Sequence, residues 1–264
     1  MVLSRLLMCK NGRLMHLSLI IPAYNEVDRI GNTLEHATSY LRNQSYASEI
    51  IVVDDGSSDS TQAVVLEQIK ANDAANKTSR SPVELHVVAL DHNQGKGYAV
   101  RYGMLHIARG DYRVYYDADS ATPIEELEKV WAAFNTEVDI VIGSRALPDS
   151  DVELYQPWYR VFMGRTFNVI LHFMKLTPYQ DTQCGFKGFT AEATKAVFQR
   201  QTLWRFSFDV ELLYIARLLK FRIAEIPVRW RNDPCSKVHA IRDSGRMFFD
   251  LGLIRIRALL GLYL

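Results

Sequence analysis

The stretch Ile50-Ile51-Val52-Val53-Asp54-Asp55-Gly56-Ser57-Ser58-Asp59 joins four β-branched residues to an acid-rich turn. The apolar run predicts a buried strand, and the Asp-Gly-Ser cluster predicts a turn at its carboxyl edge. Open parallel sheets bind ligands at that edge. Carboxylates at a buried strand end are costly unless they meet polar donors, such as ribose hydroxyls or a base N–H. Asp59 has a second reading, as the cap of a helix starting near Thr61.

Working outward, residues 17–23 (Leu-Ser-Leu-Ile-Ile-Pro-Ala) read as an earlier strand that Pro22 ends, because proline cannot donate to a ladder. A helix follows with Ile30, Leu34, Ala37 and Leu41 on one face. Beyond the central stretch come a helix over 61–72, a polar loop over 73–82 and a strand over 83–90 with alternating Val83, Leu85 and Val87. The loop Asn93-Gln94-Gly95-Lys96-Gly97 precedes a helix over 98–107. A lysine between glycines before a helix suits a phosphate, yet the spacing is not that of a P-loop, and a plain turn accounts for it equally. A strand at 112–116 runs into Asp117-Ala118-Asp119, whose alternation places two carboxylates on one side, as a hard divalent cation requires. A further strand, 139–143, ends in Ser144-Arg145. Strands alternating with helices, with ligand-type residues after nearly every strand, predict a parallel nucleotide-binding sheet of the α/β class.

The second half differs in texture. Residues 157–176 mix Arg160, Arg165 and Lys175 with Trp158, Tyr159, Phe162, Phe167 and Phe173, a pattern shared by core helices and by helices lying in a membrane interface. A polar loop at 181–187 leads to a helix over 191–198, then a helix over 206–219 carrying Asp209 and Glu211, then a strand over 223–230. The apolar segment 247–264 contains Asp250, Arg255 and Arg257, which argue for lying in an interface rather than spanning it. The domain plan is an extension over 1–16, a catalytic domain over 17–243 and a membrane-associating helix over 244–264.

Composition narrows the function classes. The 264 residues carry 31 Lys and Arg against 30 Asp and Glu, so global charge gives no case for nucleic acid. Cys9, Cys184 and Cys235 have no paired spacing, which fits neither a zinc site nor a disulfide framework and favours a reducing compartment. No run of about 18 uncharged apolar residues predicts a membrane span.

Taken together, Pro22-Ala23-Tyr24-Asn25-Glu26, Asp54-Asp55-Gly56-Ser57-Ser58-Asp59, Asn93-Gln94-Gly95-Lys96-Gly97 and Asp117-Ala118-Asp119 resemble, in that order, the inverting family 2 glycosyltransferases of the GT-A fold. The resemblance covers nearly the whole chain. Asp181-Thr182-Gln183-Cys184-Gly185-Phe186-Lys187, the run Trp204 to Ala216, and Glu225-Ile226-Pro227-Val228 with Ser236-Lys237 look like the dolichyl-phosphate β-glucosyltransferase subgroup and its polyprenyl-phosphate relatives. Mannose synthases are more distant, since they carry a glutamine where this chain has Ala121. The eukaryotic subgroup also has an N-terminal membrane helix with no counterpart here, so anchoring is expected to be peripheral, at the cytoplasmic face.

The resemblance implies a Rossmann-like, mostly parallel sheet and transfer of a sugar, glucose from UDP-glucose being favoured, to dolichyl or polyprenyl phosphate with inversion. It implies a nucleotide-sugar pocket of Pro22, Ala23, Tyr24, Glu26, Val53, Asp55, Lys96, Asp117, Ala118 and Lys237. Asp117 and Asp119 would hold Mg²⁺ or Mn²⁺, with Asp119 the stronger ligand. Arg145, Arg160, Arg165 and Lys187 are the acceptor-phosphate candidates, and Asp209 joins Asp117, Asp119 and Arg145 as a catalytic candidate, orienting a cation rather than abstracting a proton. Competing readings are mannosyl or other hexosyl transfer, a soluble or polysaccharide acceptor, and a nucleotide-sugar binding module without activity. The expected partners are the donor, the lipid phosphate and a membrane surface, not nucleic acid; self-association is left open. Removing 247–264 is expected to release the protein from membranes with nucleotide binding intact.

Overall fold

Alternation along β2 (Ala47–Asp54) sorts the core into two layers. Ile51 and Val53 face one side of the sheet and pack with Ile20, Ala99, Val100, Met104 and Tyr115; Ile50 and Val52 face the other and pack with Leu19, Ile21, Leu34, Val114 and Tyr116. Such double-sided burial makes the strand a continuous apolar run. The computed structural model describes residues 16–79, 81–153, 158–231 and 240–264, without the side chains of 16, 158–163, 165 and 240–244.

The remaining strands of the main sheet are β1 (His16–Ala23), β3 (Val83–Ala89), β4 (Tyr112–Tyr116), β5 (Ile140–Ser144), β7 (Phe186–Thr190) and β8 (Ile223–Pro227), in spatial order β3-β2-β1-β4-β7-β5-β8. Only β7 runs antiparallel to its neighbours β4 and β5; β1, β2, β3 and β4 are mutually parallel, as are β5 and β8. The expected mostly parallel α/β sheet is therefore present. One face carries α3 (Lys96–Tyr102), α6 (Ala191–Phe198), α7 (Phe208–Leu218) and part of α8 (Ala240–Leu259). The other carries α1 (Ile30–Arg42) and α4 (Leu127–Phe134). The helices α2 (Thr61–Asn76) and α5 (Trp158–Phe173) and a small parallel ribbon, β6 (Asp151–Glu153) with β9 (Arg229–Arg231), complete the described elements.

Several expectations need correction. Pro22 does not end its strand: pairing with β2 continues to Ala23↔Asp54, while pairing with β4 stops at Ile20, so the missing N–H lies past the last β4 pair. The helix expected to stop at 72 runs through Asn76, because Asn72 and Asn76 amides donate to the Val83 carbonyl and Asn76 accepts the Val83 N–H, pinning its last turns to β3. The helix expected over 98–107 begins at Lys96 and relaxes into a π-turn over Gly103–Ile107. At Gly103 a Cβ would lie 2.7 Å from Ile20. The 223–230 strand is two strands separated by the buried Val228. The 124–134 segment, a 3₁₀ turn and α4 with Leu127, Val130, Trp131 and Phe134 buried, was not anticipated although its apolar spacing is helical.

Candidate active site

The carboxyl ends of β1, β2 and β4 meet the loops 91–95, 181–185 and 201–207 at one edge of the sheet. The first two loops are tied to strand ends, and the third to the start of α3. The Asp55 carboxylate accepts the N–H groups of Gln94 and Gly95, both at 2.8 Å, and Asp54 accepts the Ser57 N–H and hydroxyl. Burial pushes the Asp55 carboxyl up in spite of those donors. Asp54 and Asp55 are thus satisfied by the chain itself, and Asp55 works as a staple that fixes the lysine-bearing loop. Gly56 has φ +69°, and a Cβ there would lie 2.6 Å from the His92 carbonyl carbon, so only glycine lets the two turns touch.

Asn25, at φ 56°, clips the first turn to the second: its amide oxygen accepts the Ser58 N–H at 2.8 Å, and its own N–H donates to Ser57. Asp59 accepts the Thr61 N–H and hydroxyl from one position ahead of Ser60, the N-cap residue of α2, whose side chain makes no cap bond; Asp59 therefore closes the turn into α2 and is not its cap, contrary to the expectation. Glu26 pairs with Arg29 at 2.5 Å, and Tyr24 stands exposed at the rim. Among the expected pocket residues, Val53 is completely covered by the core, so its side chain offers no surface to a ligand. Ala23 and Ala118 are also buried, and their carbonyls accept from Asp55 N–H and the Thr33 hydroxyl. Pro22 is half-buried.

The antiparallel register of β7 on β4 builds the centre. It sets Tyr116 opposite Phe186, so the next residue outward, Asp117, donates its N–H to the Gly185 carbonyl at 3.1 Å. A Cβ on Gly185 would collide with the Asp117 carboxylate, which explains the glycine. The Lys96 ammonium lies 2.6 Å from Asp117 Oδ1, an oxygen that is buried and has no hydrogen-bond donor among the described residues beyond this contact. Burial pulls the Lys96 pKa down, but the carboxylates of Asp117, Asp209 and Asp119 outweigh it and raise it. Burial, and after it the Asp117 charge, pushes Asp119 up to about 6. Two neighbouring carboxylates, with a buried Asp117 oxygen that meets only the Lys96 ammonium among the described residues, form an all-oxygen donor set suited to a hard divalent cation. The residues fit Mg²⁺ or Mn²⁺. A second acidic group, Glu49, Glu84 and His86, has ligand atoms close together but sits at the amino ends of β2 and β3. The Arg109 guanidinium already bonds both of its acids, at 2.6 and 2.5 Å, so we assign it to structure.

The same register sets Lys187 opposite Tyr115. Lys187 is fully buried, donates to Asp209 Oδ1 and to the Cys184 carbonyl, both at 2.6 Å, and lies 5.3 Å from the Tyr115 ring centre. The Tyr115 hydroxyl donates to the same Asp209 oxygen. Lys187 therefore cannot meet an acceptor phosphate, contrary to the expectation from sequence; Asp209 and Lys187 form an internal pair, and Asp209 holds a cation as anticipated. Arg145 is also committed: its Nε and Nη2 grip Asp181 at 2.6 and 2.9 Å, and Trp230 stacks at 5.2 Å. Burial acts against the Asp181 charge, but Arg145 holds its carboxyl at about 2. The side chains of Arg160 and Arg165, and all of Lys237, lie outside the described residues, as do Cys9 and Cys235.

Three features escaped the sequence. Glu211 accepts the N–H groups of Thr202 and Leu203 at 2.9 and 2.8 Å and the Tyr263 hydroxyl at 2.7 Å, tying the end of the chain to the loop over the Gly95 turn. That loop meets the turn through Tyr98 N–H and the Trp204 carbonyl, 3.2 Å apart. Asp181 is the partner of Arg145 and Tyr115 that of Asp209; both contacts join residues 36 or more positions apart, which no local spacing signals.

Comparison with known proteins is consistent with this geometry. The chain is 35% identical over 259 residues to dolichyl-phosphate beta-glucosyltransferase of Dictyostelium discoideum, covering 94% of this chain and 76% of that protein. It is likewise 35% identical to the Homo sapiens protein of that name, over 93% and 76%. Among solved structures it is similar to Mycobacterium tuberculosis glucosyl-3-phosphoglycerate synthase in complex with Mn²⁺ and UDP-glucose, at TM-score 0.68 and 18% identity over 96% of this chain and 82% of that one, a likeness of GT-A fold. The family model described as glycosyl transferase family 2 matches residues 18–198, more than half of the sequence. The chain belongs to glycosyl transferase family 2.

Proposed function

We propose that this protein transfers glucose from UDP-glucose to the phosphate of a dolichyl or polyprenyl lipid at a membrane surface. The observation that carries the reading is the pairing of a donor-type centre, Asp117, Asp119 and Lys96, with near full-length similarity to proteins named for this reaction. A phosphate oxygen of the acceptor attacks the anomeric carbon. The bond from that carbon to the diphosphate breaks with its electron pair going to UDP, and configuration inverts. A phosphate monoester is already ionised near neutral pH and is its own nucleophile. That fits a site whose buried acids are engaged elsewhere, Asp209 with Lys187 and Tyr115, and Glu211 with Thr202, Leu203 and Tyr263. A hydroxyl acceptor would call for a free general base.

Asp117 and Asp119 are the residues to hold Mg²⁺ or Mn²⁺, which supplies positive charge against the departing diphosphate. Lys96 adds a fixed cation beside them. Tyr24, Pro22, Glu26 and Asp55 border the nucleoside end. Asp55 also keeps the Lys96 loop in register, and Lys237 remains part of the proposal for the diphosphate.

Peripheral membrane binding is supported by α8, which buries Met247, Leu251 and Ile254 and exposes Phe249, Ile256 and Leu259, with Leu260 exposed just past its end, while Val169 and Phe173 are exposed on α5. Phe167 and Phe248 bring the two helices together at 5.9 Å. No helix among the described residues is long and apolar enough to cross a membrane. Deleting 247–264 is the wrong test, because it removes core residues and the Tyr263 bond to Glu211. Changing Phe249 and Leu260 together to glutamate should instead lower vesicle binding about tenfold with UDP affinity unchanged. The activity itself is tested by a donor screen with polyprenyl phosphate and Mg²⁺ or Mn²⁺. Glucose transfer from UDP-glucose should dominate; equal transfer from GDP-mannose would refute the glucosyl assignment.

A further inference from the structure

The two acids of α7 have different tasks. Asp209 holds Lys187, whereas Glu211, two residues on and completely buried, spends its carboxylate on a loop and on a residue brought in from beyond α8. Its Oε2 accepts the N–H groups of Thr202 and Leu203 at 2.9 and 2.8 Å, and its Oε1 accepts the Thr202 hydroxyl and, at 2.7 Å, the Tyr263 hydroxyl. Arg257 donates to the Thr202 hydroxyl oxygen and stands 3.9 Å from Glu211 Oε1. A buried carboxylate is costly and persists where several donors converge on it. The tyrosine is delivered by the way α8 stops. The Leu262 N–H returns to the Arg257 carbonyl at 3.0 Å and the Gly261 N–H to the Ala258 carbonyl at 3.1 Å, with Gly261 at φ 71°, a left-handed helix stop that suits glycine. The reversal leaves Leu260, Leu262 and Leu264 exposed and turns Tyr263 inward, fully buried, its ring edge-on to Tyr214 at 6.3 Å.

The loop that Glu211 braces rests on the lysine turn. Gln201 Nε2 donates to the carbonyls of Gly97 and Leu203 at 2.9 and 2.8 Å, and the Trp204 carbonyl accepts the Tyr98 N–H at 3.2 Å. At Gly97 a Cβ would lie 3.0 Å from the Leu203 carbonyl oxygen, so the two backbones are in direct contact. Asp55 holds the preceding residues, Gln94 and Gly95, from the end of β2. Lys96, whose ammonium meets Asp117 at 2.6 Å, therefore stands between two backbone clamps, one fastened by Asp55 and the other by Glu211. A cation that must meet charge developing in a reaction is effective only where the residues around it fix its place.

We propose that Glu211, with Tyr263 as its brace, is a positioning residue: it holds residues 202–204 against the 95–98 turn and so sets the Lys96 ammonium beside Asp117 for the donor diphosphate. The proposal rests on the reading of that centre as the donor site. Because Glu211 acts through Lys96, its loss cannot cost more donor binding than the loss of Lys96 itself, and the two losses do not add. A brace that only stabilises the fold has no such ceiling.

The test is a double-mutant cycle on UDP affinity in the presence of Mn²⁺, measured by calorimetry on wild type, Glu211→Gln, Tyr263→Phe, Lys96→Ala and the variant combining Tyr263→Phe with Lys96→Ala. Tyr263→Phe keeps the buried ring and decides the matter if Glu211→Gln does not fold. Ser18→Ala, which deletes a buried hydroxyl bonded to Glu49 at the other end of the sheet, is the control. Lys96→Ala should weaken UDP binding about thirtyfold, Glu211→Gln about tenfold and Tyr263→Phe about fivefold, with the control unchanged. In the Lys96→Ala background, Tyr263→Phe should cost less than about twofold more. An unchanged UDP affinity in Tyr263→Phe overturns the proposal. So does a loss that repeats in full without Lys96, or that Ser18→Ala matches, since either describes a purely structural brace. If wild type binds no UDP, the donor reading fails and the positioning is judged by amide hydrogen exchange: faster exchange at Tyr98 and Ala99 in Tyr263→Phe than in Ser18→Ala upholds it, and equal or slower exchange refutes it.

Discussion

Two acid clusters stand at opposite ends of the same sheet and differ in how their charge is settled. At the amino ends of β2 and β3, Glu49 accepts from Ser18 at 2.5 Å and from Arg109, whose guanidinium also bonds Glu84. Every acid there has its partner. At the carboxyl ends, the Lys96 ammonium pairs with Asp117, no ion pair among the described residues reaches Asp119, and burial together with the Asp117 charge raises the pKa of Asp119. A fold tolerates such unresolved charge where a ligand is to complete it, so the difference separates a structural cluster from a functional one.

The largest effect expected from breaking this contrast is on the functional end. Asp119→Asn should reduce glucose transfer by about a thousandfold with little change in melting temperature, since it removes charge stabilisation and relieves a repulsion. Transfer within tenfold of wild type would place the cation elsewhere. Next comes the internal pair that props the centre. Lys187→Met strands the Asp209 carboxylate in the interior and should cost about 3–5 kcal/mol in urea unfolding, and adding Asp209→Asn should restore part of it. Unchanged stability in the single variant would mean that water reaches the pair.

At the structural end, Glu49→Gln should cost about 3 kcal/mol at neutral pH. Burial works against the Glu49 charge, but the bonds from Ser18 and Arg109 prevail and hold its folded pKa below the ordinary carboxylate value. Its stabilisation is therefore present above the unfolded pKa and lost as the pH falls through the depressed folded one. Melting curves from pH 7 to pH 3 should show the wild type converging on the glutamine variant at the acid end. The smallest effect is expected from Glu84→Gln: that partner of Arg109 is more than half exposed, so the change should stay within about 0.5 kcal/mol and leave transfer unaltered.

The contrast also shows what the sequence conveyed. β4 was legible to the residue because Tyr112–Tyr116 is bounded by Asp111 and Asp117, and the edge at which β1, β2 and β4 present ligand-type residues followed from strand order and apolar runs. Local spacing also supplied the Asp117 and Asp119 pair. Which cations were free was not legible. Arg145 and Asp181 are 36 residues apart and Lys187 and Asp209 are 22 apart, and each pair is brought together by β7, the antiparallel strand whose place in the mostly parallel sheet no local spacing signals. Asp55 read as a ligand for the donor because its partners, the N–H groups of Gln94 and Gly95, are backbone groups that carry no sequence signature. The same holds for Glu211, which read as a helix acid and proves to be the anchor of Tyr263.

The division of labour between the two clusters is tested most directly by calorimetry of UDP binding with and without Mn²⁺, on wild type, Asp119→Asn and His86→Ala. Mn²⁺ should tighten UDP binding at least tenfold in wild type and in His86→Ala, and have no effect in Asp119→Asn. A Mn²⁺ effect that survives in Asp119→Asn, or vanishes in His86→Ala, would contradict the assignment of the cation to the carboxyl end of the sheet.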